Sequence, residues 1–479
     1  RWALAYNTTA SNNTAVGYQA GYSNTTASFN TFIGRFAGYT NTTGSQNTSV
    51  GVNSFRLNTT GQYNTVIGKS ALEANTTGNY NVALGHTALA SNTTASNNTA
   101  VGYQSLYANT TGTANVAVGK NALDVNTTGS TNTAIGGDSL GANTTGGGNT
   151  ALGQAALENN TTASFNTGVG RNALILNTTG GNNTAVGYQA GFNNTTGADN
   201  VALGRDSLFS STTASNNTAV GHQAGYSNTT GGQNTFIGHF AGRSNTTGLD
   251  NTFSGRQAGY TNTTGSYNTA LGTYSLILNT TGSYNTAVGY QAGYSNTTGT
   301  ENVSLGVFSL YSNTIGIRNV SLGKSAMEAN TTGTDNVAVG VTALDANTTG
   351  TNNVVLGNFA LTANTTGINN TVVGHQAGYS NTTGNYNTFV GRQAGFSANE
   401  TGNTFNSFFG QSAGFSCTTG YNNTYIGTNA GDLTTTGYNN TIIGRYNGNA
   451  GGLDIRTLSN IIVLSDGDGN PRLHIDSAN

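Results

Sequence analysis

Few side chains in this sequence are of the types that do chemistry, so their spacing is the first thing to weigh. The richest run is Asp466-Gly467-Asp468-Gly469-Asn470. Its alternating oxygen side chains match the opening of a calcium loop, but the downstream Glu that completes such a loop is missing. Of the five histidines, His86, His222, His239 and His375 occupy one equivalent place in a repeat, where Tyr, Arg, Lys and Gln also occur. They read as surface variation, and His474 stands apart near the end. Cys417 is the sole cysteine, which rules out an intrachain disulfide and a multi-Cys metal cage. It replaces a recurrent Asn and reads as a small buried hydrophobe. Acidic residues scatter over variable places, with no paired carboxylates and no nucleophile beside a base. No Gly cluster leads into Lys-Ser/Thr as a phosphate loop requires. The expectation is therefore no catalysis, no cofactor and no metal.

The elements that carry these residues come from a repeat. An Asn closes each seventeen-residue unit, at Asn13, Asn30, Asn47, Asn64 and onward without a slip to Asn387, and then at Asn406, Asn423, Asn440 and Asn460. A strict period is the mark of a solenoid whose coils stack. Numbering each unit 1 to 17 up to that Asn, position 3 is almost always Val, Ile or Leu, and position 4 is Gly from Gly17 to Gly444. Position 7 is Ala or Ser, and positions 11 to 14 read Asn-Thr-Thr-Gly or Asn-Thr-Thr-Ala in most units.

Gly, Asn and Thr are weak helix formers, and the apolar places are too few for a helical stripe. Asn-Thr-Ala-Val-Gly reads as a short strand ended by a residue free to take positive φ. Asn-Thr-Thr-Gly reads as a turn or a second short strand, and a single helical turn is allowed around positions 6–10 where Leu is present. The fold class is all-β, a parallel β-solenoid or β-roll. About twenty-seven coils at ~4.8 Å would make a rod on the order of 130 Å.

Within a coil, Val16, Ile33, Leu84, Val220 and Val288 are expected in the core at position 3. Alternation then turns position 2 outward, so Phe32, Phe236, Phe253, Phe389 and Phe408 are expected to meet other chains around a three-fold axis. Where position 8 is Leu, position 9 varies; where it is Gly, position 9 is usually aromatic, as in Gly21-Tyr22 and Gly191-Phe192. One large side chain delivered from either place would explain this. Gly17, Gly34, Gly204, Gly289 and Gly444 are read as backbone devices. Asn24, Asn41, Asn58, Asn296 and Asn302 are read as rungs of stacked amide ladders. Asn-Thr-Thr is also a formal N-glycosylation acceptor, but glycans on coils ~4.8 Å apart would collide.

Composition narrows the partners. Charged residues are 7% of the 479 and net charge is −2, which argues against nucleic acid. No eighteen-residue apolar run spans a membrane. Tyr18, Tyr103, Tyr188 and Tyr290 recur at position 5 and could stack on sugar rings or pack between coils. Charge rises after residue 452, where Ile461-Ile462-Val463-Leu464 and Arg472-Leu473-His474-Ile475 read as a hairpin. The division expected is a shaft over 1–452 and, over 453–479, a cap or an adaptor to a further domain. The opening Ala3-Leu4-Ala5-Tyr6-Asn7-Thr8-Thr9 is the back half of a unit, so a cut from something longer is expected.

Asn-Thr-Ala-Val-Gly resembles the strand motif of trimeric autotransporter adhesin heads. The longer Asn-Thr-Ala-Val-Gly-Tyr-Gln-Ala-Gly-Tyr-Ser-Asn-Thr-Thr-Gly looks more like the repeat regions of bacteriophage tail fibres. Ser465 to Asn479 is similar to the segment leading into the self-cleaving chaperone domain of such fibres. The resemblance implies a homotrimer, intertwined or side by side, acting as the shaft or receptor-binding region of a tail fibre on a virion. The alternative is a bacterial trimeric adhesin or extracellular filament at a cell surface. Either would bind cell-surface carbohydrate or receptor through variable positions 5, 6, 9 and 10. A polysaccharide depolymerase would need converging carboxylates. An ice-binding solenoid would need a flat Thr array, whereas Thr at positions 12 and 13 should point to opposite sides.

Overall fold

A computed structural model describes residues 1–476, and among them it holds strands, turns and bends but no helix. The end of the expected terminal segment, 477–479, lies outside the described residues. The chain divides into two compact units, Arg1–Phe236 and Ile237–Asn479. Each is a parallel β-solenoid built from the seventeen-residue unit.

In the first unit, thirteen three-residue strands run from Thr14–Val16 to Thr218–Val220. Each pairs in parallel with the next, and register never slips: Thr14 faces Thr31, Ala15 faces Phe32, Val16 faces Ile33, and so on to Leu203 facing Val220. In the second unit the same ladder runs from Thr252–Ser254 to Thr441–Ile443. The strand Ile462–Ser465 then adds in parallel to Thr441–Ile443, and Pro471–Ile475 returns antiparallel on it. That hairpin covers the last strand edge, which would otherwise present unpaired backbone groups.

Alternation along the strand holds, but with the opposite sense to that expected. Position 2 points inward: Phe32, Phe236, Phe253, Phe389 and Phe408 are fully buried, as are Ala83, Ala287 and Val355. Position 3 points outward. Val16 is 59% exposed, Ile33 38% and Leu84 43%, while Val220 and Val288 are half-buried. So the five aliphatics are not the core, and the five phenylalanines are not surface contacts. The reason lies across the coil. Position 8 supplies the opposing wall, and a buried Leu such as Leu72, Leu89 or Leu157 is matched by Val66, Ala83 or Ala151 at position 2, never by an aromatic ring.

In the units with an aromatic at position 2 the volume compensation therefore runs between positions 2 and 8, not 8 and 9, whereas Gly191 and Gly293 face only Ala185 and Ala287. A Cβ on Gly259 would lie 2.5 Å from the Phe253 ring, and one on Gly395 2.8 Å from Phe389. The converse swap occurs once, where Phe55 fills position 8 opposite Ser49 at position 2, both fully buried. Position-9 aromatics stay outside this interior, half-buried on the surface or, at Tyr107 and Tyr379, exposed.

No helical turn forms at positions 6–10. Positions 6 and 8 both take left-handed backbone, for example Ser70 at φ 54° and Leu72 at φ 45°, and so does position 16, as in Tyr63 at φ 59°. A non-Gly residue there costs about 1 kcal/mol or more. The stack offsets that cost, because the same residues bond to neighbouring coils: Ser70 N to Val52 O at 2.9 Å, Leu72 N to Ala88 O at 2.9 Å, Tyr63 N to Ser45 O at 3.2 Å. Position-4 glycines play the expected backbone role. Gly289 has φ 138° and Gly204 φ 129°, and an added Cβ would fall 2.5 Å and 2.6 Å from the carbonyl oxygen of the next coil's glycine. Gly17, Gly34 and Gly444 share the positive φ and the same closeness to the next coil's backbone.

Candidate functional site

One side chain per coil, held in register, turns each position into a column, and these columns are the surface available for function. Two inner columns are amide ladders. Asn41 Nδ2 donates to Asn24 Oδ1 at 2.9 Å, Asn58 to Asn41 at 2.7 Å, and Asn296 to Asn279 at 2.7 Å. Each amide also closes its own turn, as Asn296 Nδ2 does on Gly299 O at 3.0 Å. At position 17, Asn302 Oδ1 accepts from Asn319 N at 3.0 Å, and its Nδ2 reaches Asn285 Oδ1 at 3.1 Å. Asn24, Asn41, Asn58, Asn296 and Asn302 are all buried, so the Asn of Asn-Thr-Thr has neither the space nor a free amide for a glycan. Thr at position 12 bonds its hydroxyl to the next coil, as Thr297 Oγ1 to Thr314 O at 3.0 Å, while Thr298 at position 13 is exposed.

The outer sheet face carries position 1, Thr or Val except at Ser407, and position 3, Val, Ile or Leu except at Ser254 and Phe409, with no charged residue at either place in the repeat units. Beyond the turn, aromatic rings stack at the strand spacing of ~4.8 Å. Position 9 gives Tyr22 on Tyr39 (5.2 Å, 11°) and Phe192 on Phe209 (5.1 Å, 16°) in the first unit. In the second it gives Tyr294 on Tyr311 (4.9 Å) and Tyr379 on Phe396 (5.1 Å). Position 16 stacks likewise, with Tyr267 on Tyr284 at 5.0 Å, and position 15 does so with Tyr421 on Tyr438 at 4.8 Å. Of the recurrent position-5 tyrosines, Tyr18, Tyr103, Tyr188 and Tyr290 are all exposed, and Tyr290 meets Phe308 edge-on at 5.7 Å. These rings pack against neighbouring coils and still present area to solvent.

The histidines join the same outer columns: His86 stacks on Tyr103 at 5.6 Å and His375 meets Phe359 edge-on at 6.0 Å. In the terminal loop, Asp466 Oδ1 accepts from Asp468 N at 3.1 Å and Asn470 N at 2.9 Å, and Oδ2 pairs with Arg472. The Asn470 amide, then Arg472, hold this carboxyl down at about 2. Among the described residues, no three His, Cys, Asp or Glu side chains are grouped to hold a metal ion.

Two groupings of carboxylates escaped the sequence reading. Glu328 and Asp345 both stand at position 9 of successive coils, and burial, reinforced by Glu328, pushes Asp345 up to about 6. Asp124, Asp138 and Glu158 line one surface cleft together with Asn121 and Asn159. Burial, with Asp138 adding, raises both Asp124 and Glu158. The seventeen-residue offset between Glu328 and Asp345 was a readable signal. The three-residue group was harder, because it mixes positions 6 and 9.

The position-11 ladder, interrupted once at Ser211, ends after Asn381, where Ala398, Cys417 and Thr434 follow in the same place. Glu400 fills the gap and is only 4% exposed. Its Oε1 accepts from Asn406 Nδ2 at 3.2 Å and from the Cys417 thiol at 3.6 Å. Oε2 has no partner in the protein. Burial pushes Glu400 from its ordinary 4.5 up to about 7, and it also holds the fully enclosed Cys417 thiol well above its usual range. Cys417 is thus buried as expected, but as a hydrogen-bond donor too.

The sign of the linkage follows from the raised value. Between about pH 4.5 and 7 the folded Glu400 holds a proton that the unfolded chain has released. Stability of these coils should be full below about 4.5, fall as pH rises to about 7 and then level off, by roughly 3 kcal/mol in all. Amide exchange near Cys417, corrected for intrinsic rates, should follow that course, and Glu400→Gln should flatten it. Protection that grows between pH 5 and 7 would contradict the assignment.

No known family model matches the chain, and no curated protein does either.

Proposed function

We propose that this chain is a structural, non-catalytic fibre protein that self-associates and binds a host surface. The tail-fibre shaft or receptor-binding region is the leading reading, and a bacterial trimeric adhesin or extracellular filament is the alternative. The observation that carries it is the outer sheet face, an uncharged column of Val, Ile and Leu at position 3 beside Thr or Val at position 1, repeated coil after coil. An apolar stripe of this extent marks a contact surface. A partner must present apolar groups at the same ~4.8 Å repeat to cover it, and a further copy of this chain does so by construction. Three copies, by closed cyclic symmetry, would leave no such face open. The aromatic columns on the other sides suit weak, repeated contacts with neutral surface carbohydrate, which multivalency strengthens without new chemistry.

The test is mass in solution. The unaltered chain should be an oligomer, and a double change of Leu271→Lys and Val288→Lys should yield monomer with its circular dichroism preserved. A stable monomer of the unaltered chain would refute self-association. Incubation with host surface polysaccharide should give pull-down without shortening of the sugar chains, and shortened chains would overturn the non-enzymatic reading.

A further inference from the structure

The one interruption of the period before the terminal segment coincides with a cleft. The unit ending at Asn406 has two residues more than its neighbours, and the extra length forms a local parallel pair, Thr383–Asn385 with Thr401–Asn403. Beside this pair lies a surface cleft of about 210 Å³ lined by Asn399, Glu400, Thr401, Asn403, Thr419 and Tyr421. Asn399, Thr401, Asn403, Thr419 and Tyr421 are exposed, whereas Glu400 is 4% exposed.

We propose that this cleft binds a single neutral hexose residue of a surface glycan, with the Tyr421 ring as the stacking platform and the exposed Asn399, Thr401 and Asn403 side chains as its hydrogen-bonding groups. The inference rests on the carbohydrate-binding reading above and gives it a place. Three observations converge. The lining is amide and hydroxyl with one aromatic ring, which matches a ligand with a C–H face and many hydroxyls. It contains no Lys or Arg, which disfavours phosphate and acidic sugars. Its volume lies below the ~300–1,000 Å³ of drug-sized sites, which suits one ring or a chain end. Tyr421 is held flat by Tyr438 behind it, at 4.8 Å and 1°, so its platform exists before the ligand binds.

Saturation-transfer NMR on the full chain, with methyl β-galactopyranoside, methyl α-glucopyranoside and N-acetylglucosamine as probes, tests this. At least one probe should receive saturation on its ring protons, and Tyr421→Ala should reduce that signal at least fivefold. Tyr421 is exposed and off the core, so dichroism should not change, and Thr401→Ala serves as a second variant with a smaller loss. No transfer to any probe, or transfer unaltered in both variants, would overturn the proposal. Pull-down of host polysaccharide separates the two levels. Pull-down that survives Tyr421→Ala with no hexoside signal removes this cleft and leaves the fibre reading. A hexoside signal that depends on Tyr421, without pull-down, upholds the cleft and removes the broader reading.

Discussion

Replacing Gly289 by Val is expected to unstack its coil, with a loss of at least ~3 kcal/mol of local stability. The residue sits at φ 138°, where an L side chain is strained by ~1–3 kcal/mol. Its new Cβ would lie 2.5 Å from Gly306 O and 2.7 Å from Gly306 C. Backbone cannot rotate away as a side chain can, so the coils must separate. That breaks the bond from Gly306 N to Val288 O, now 2.9 Å. A plain Gly propensity effect in a strand is worth only about 1 kcal/mol, so the size of the loss tells the two accounts apart. Amide exchange should show lost protection around Val288 and Leu305 and intact protection near Val390, since solenoid coils contact only their neighbours. Thr298→Val, at an exposed place in the same unit, should be close to neutral.

The second large effect is expected at an inner amide. Asn279 Nδ2 donates to Asn262 Oδ1 at 2.8 Å and to Gly282 O at 2.9 Å, and its Oδ1 accepts from Asn296 Nδ2 at 2.7 Å. Asn279→Ala leaves the buried Asn262 Oδ1 without its donor and takes one of two hydrogen bonds from each of Gly282 O and Asn296 Nδ2. An unsatisfied buried group costs about 1–3 kcal/mol and each lost hydrogen bond about 1 kcal/mol, so a loss of roughly 3–5 kcal/mol is expected, measured by denaturant titration of the folded chain. A loss below ~1 kcal/mol would mean that the ladder is incidental to the stack. The chain itself breaks this ladder, with Ala398, Cys417 and Thr434, and there a buried carboxyl takes the amide's place.

Much of this was legible in the residues, and the failures have definite causes. The seventeen-residue period, the three-residue strand and the role of Gly289 followed from spacing and residue type. So did the stacking of Asn41 on Asn24. The sense of alternation did not. A period of two fixes that Ala287 and Val288 face opposite ways, but not which faces in, and hydrophobicity favoured the wrong one. Volume held the answer: wherever position 2 is Phe or Tyr, as at Phe253 and Tyr425, position 8 of the same unit is Gly, as at Gly259 and Gly431. The left-handed residues were invisible because side chains as different as Ser70, Leu72 and Tyr63 adopt that backbone. Bonds between coils impose it, and local propensity does not. Glu400 was hidden for a similar reason, since only the lateral stack brings it against Cys417, seventeen residues on.

The most direct measurement is a set of spin-label distances within the second unit, with labels on the exposed threonines at position 13. Cysteines would replace Thr264 and Thr349, or Thr264 and Thr298, with Cys417→Ser as background and excess unlabelled chain to suppress distances between copies. These pairs lie five and two coils apart. At ~4.8 Å per coil the separations should be about 24 Å and about 10 Å, on one straight line against coil number. Distances that fail to grow by one strand spacing per seventeen residues would contradict the in-register stack on which every column rests.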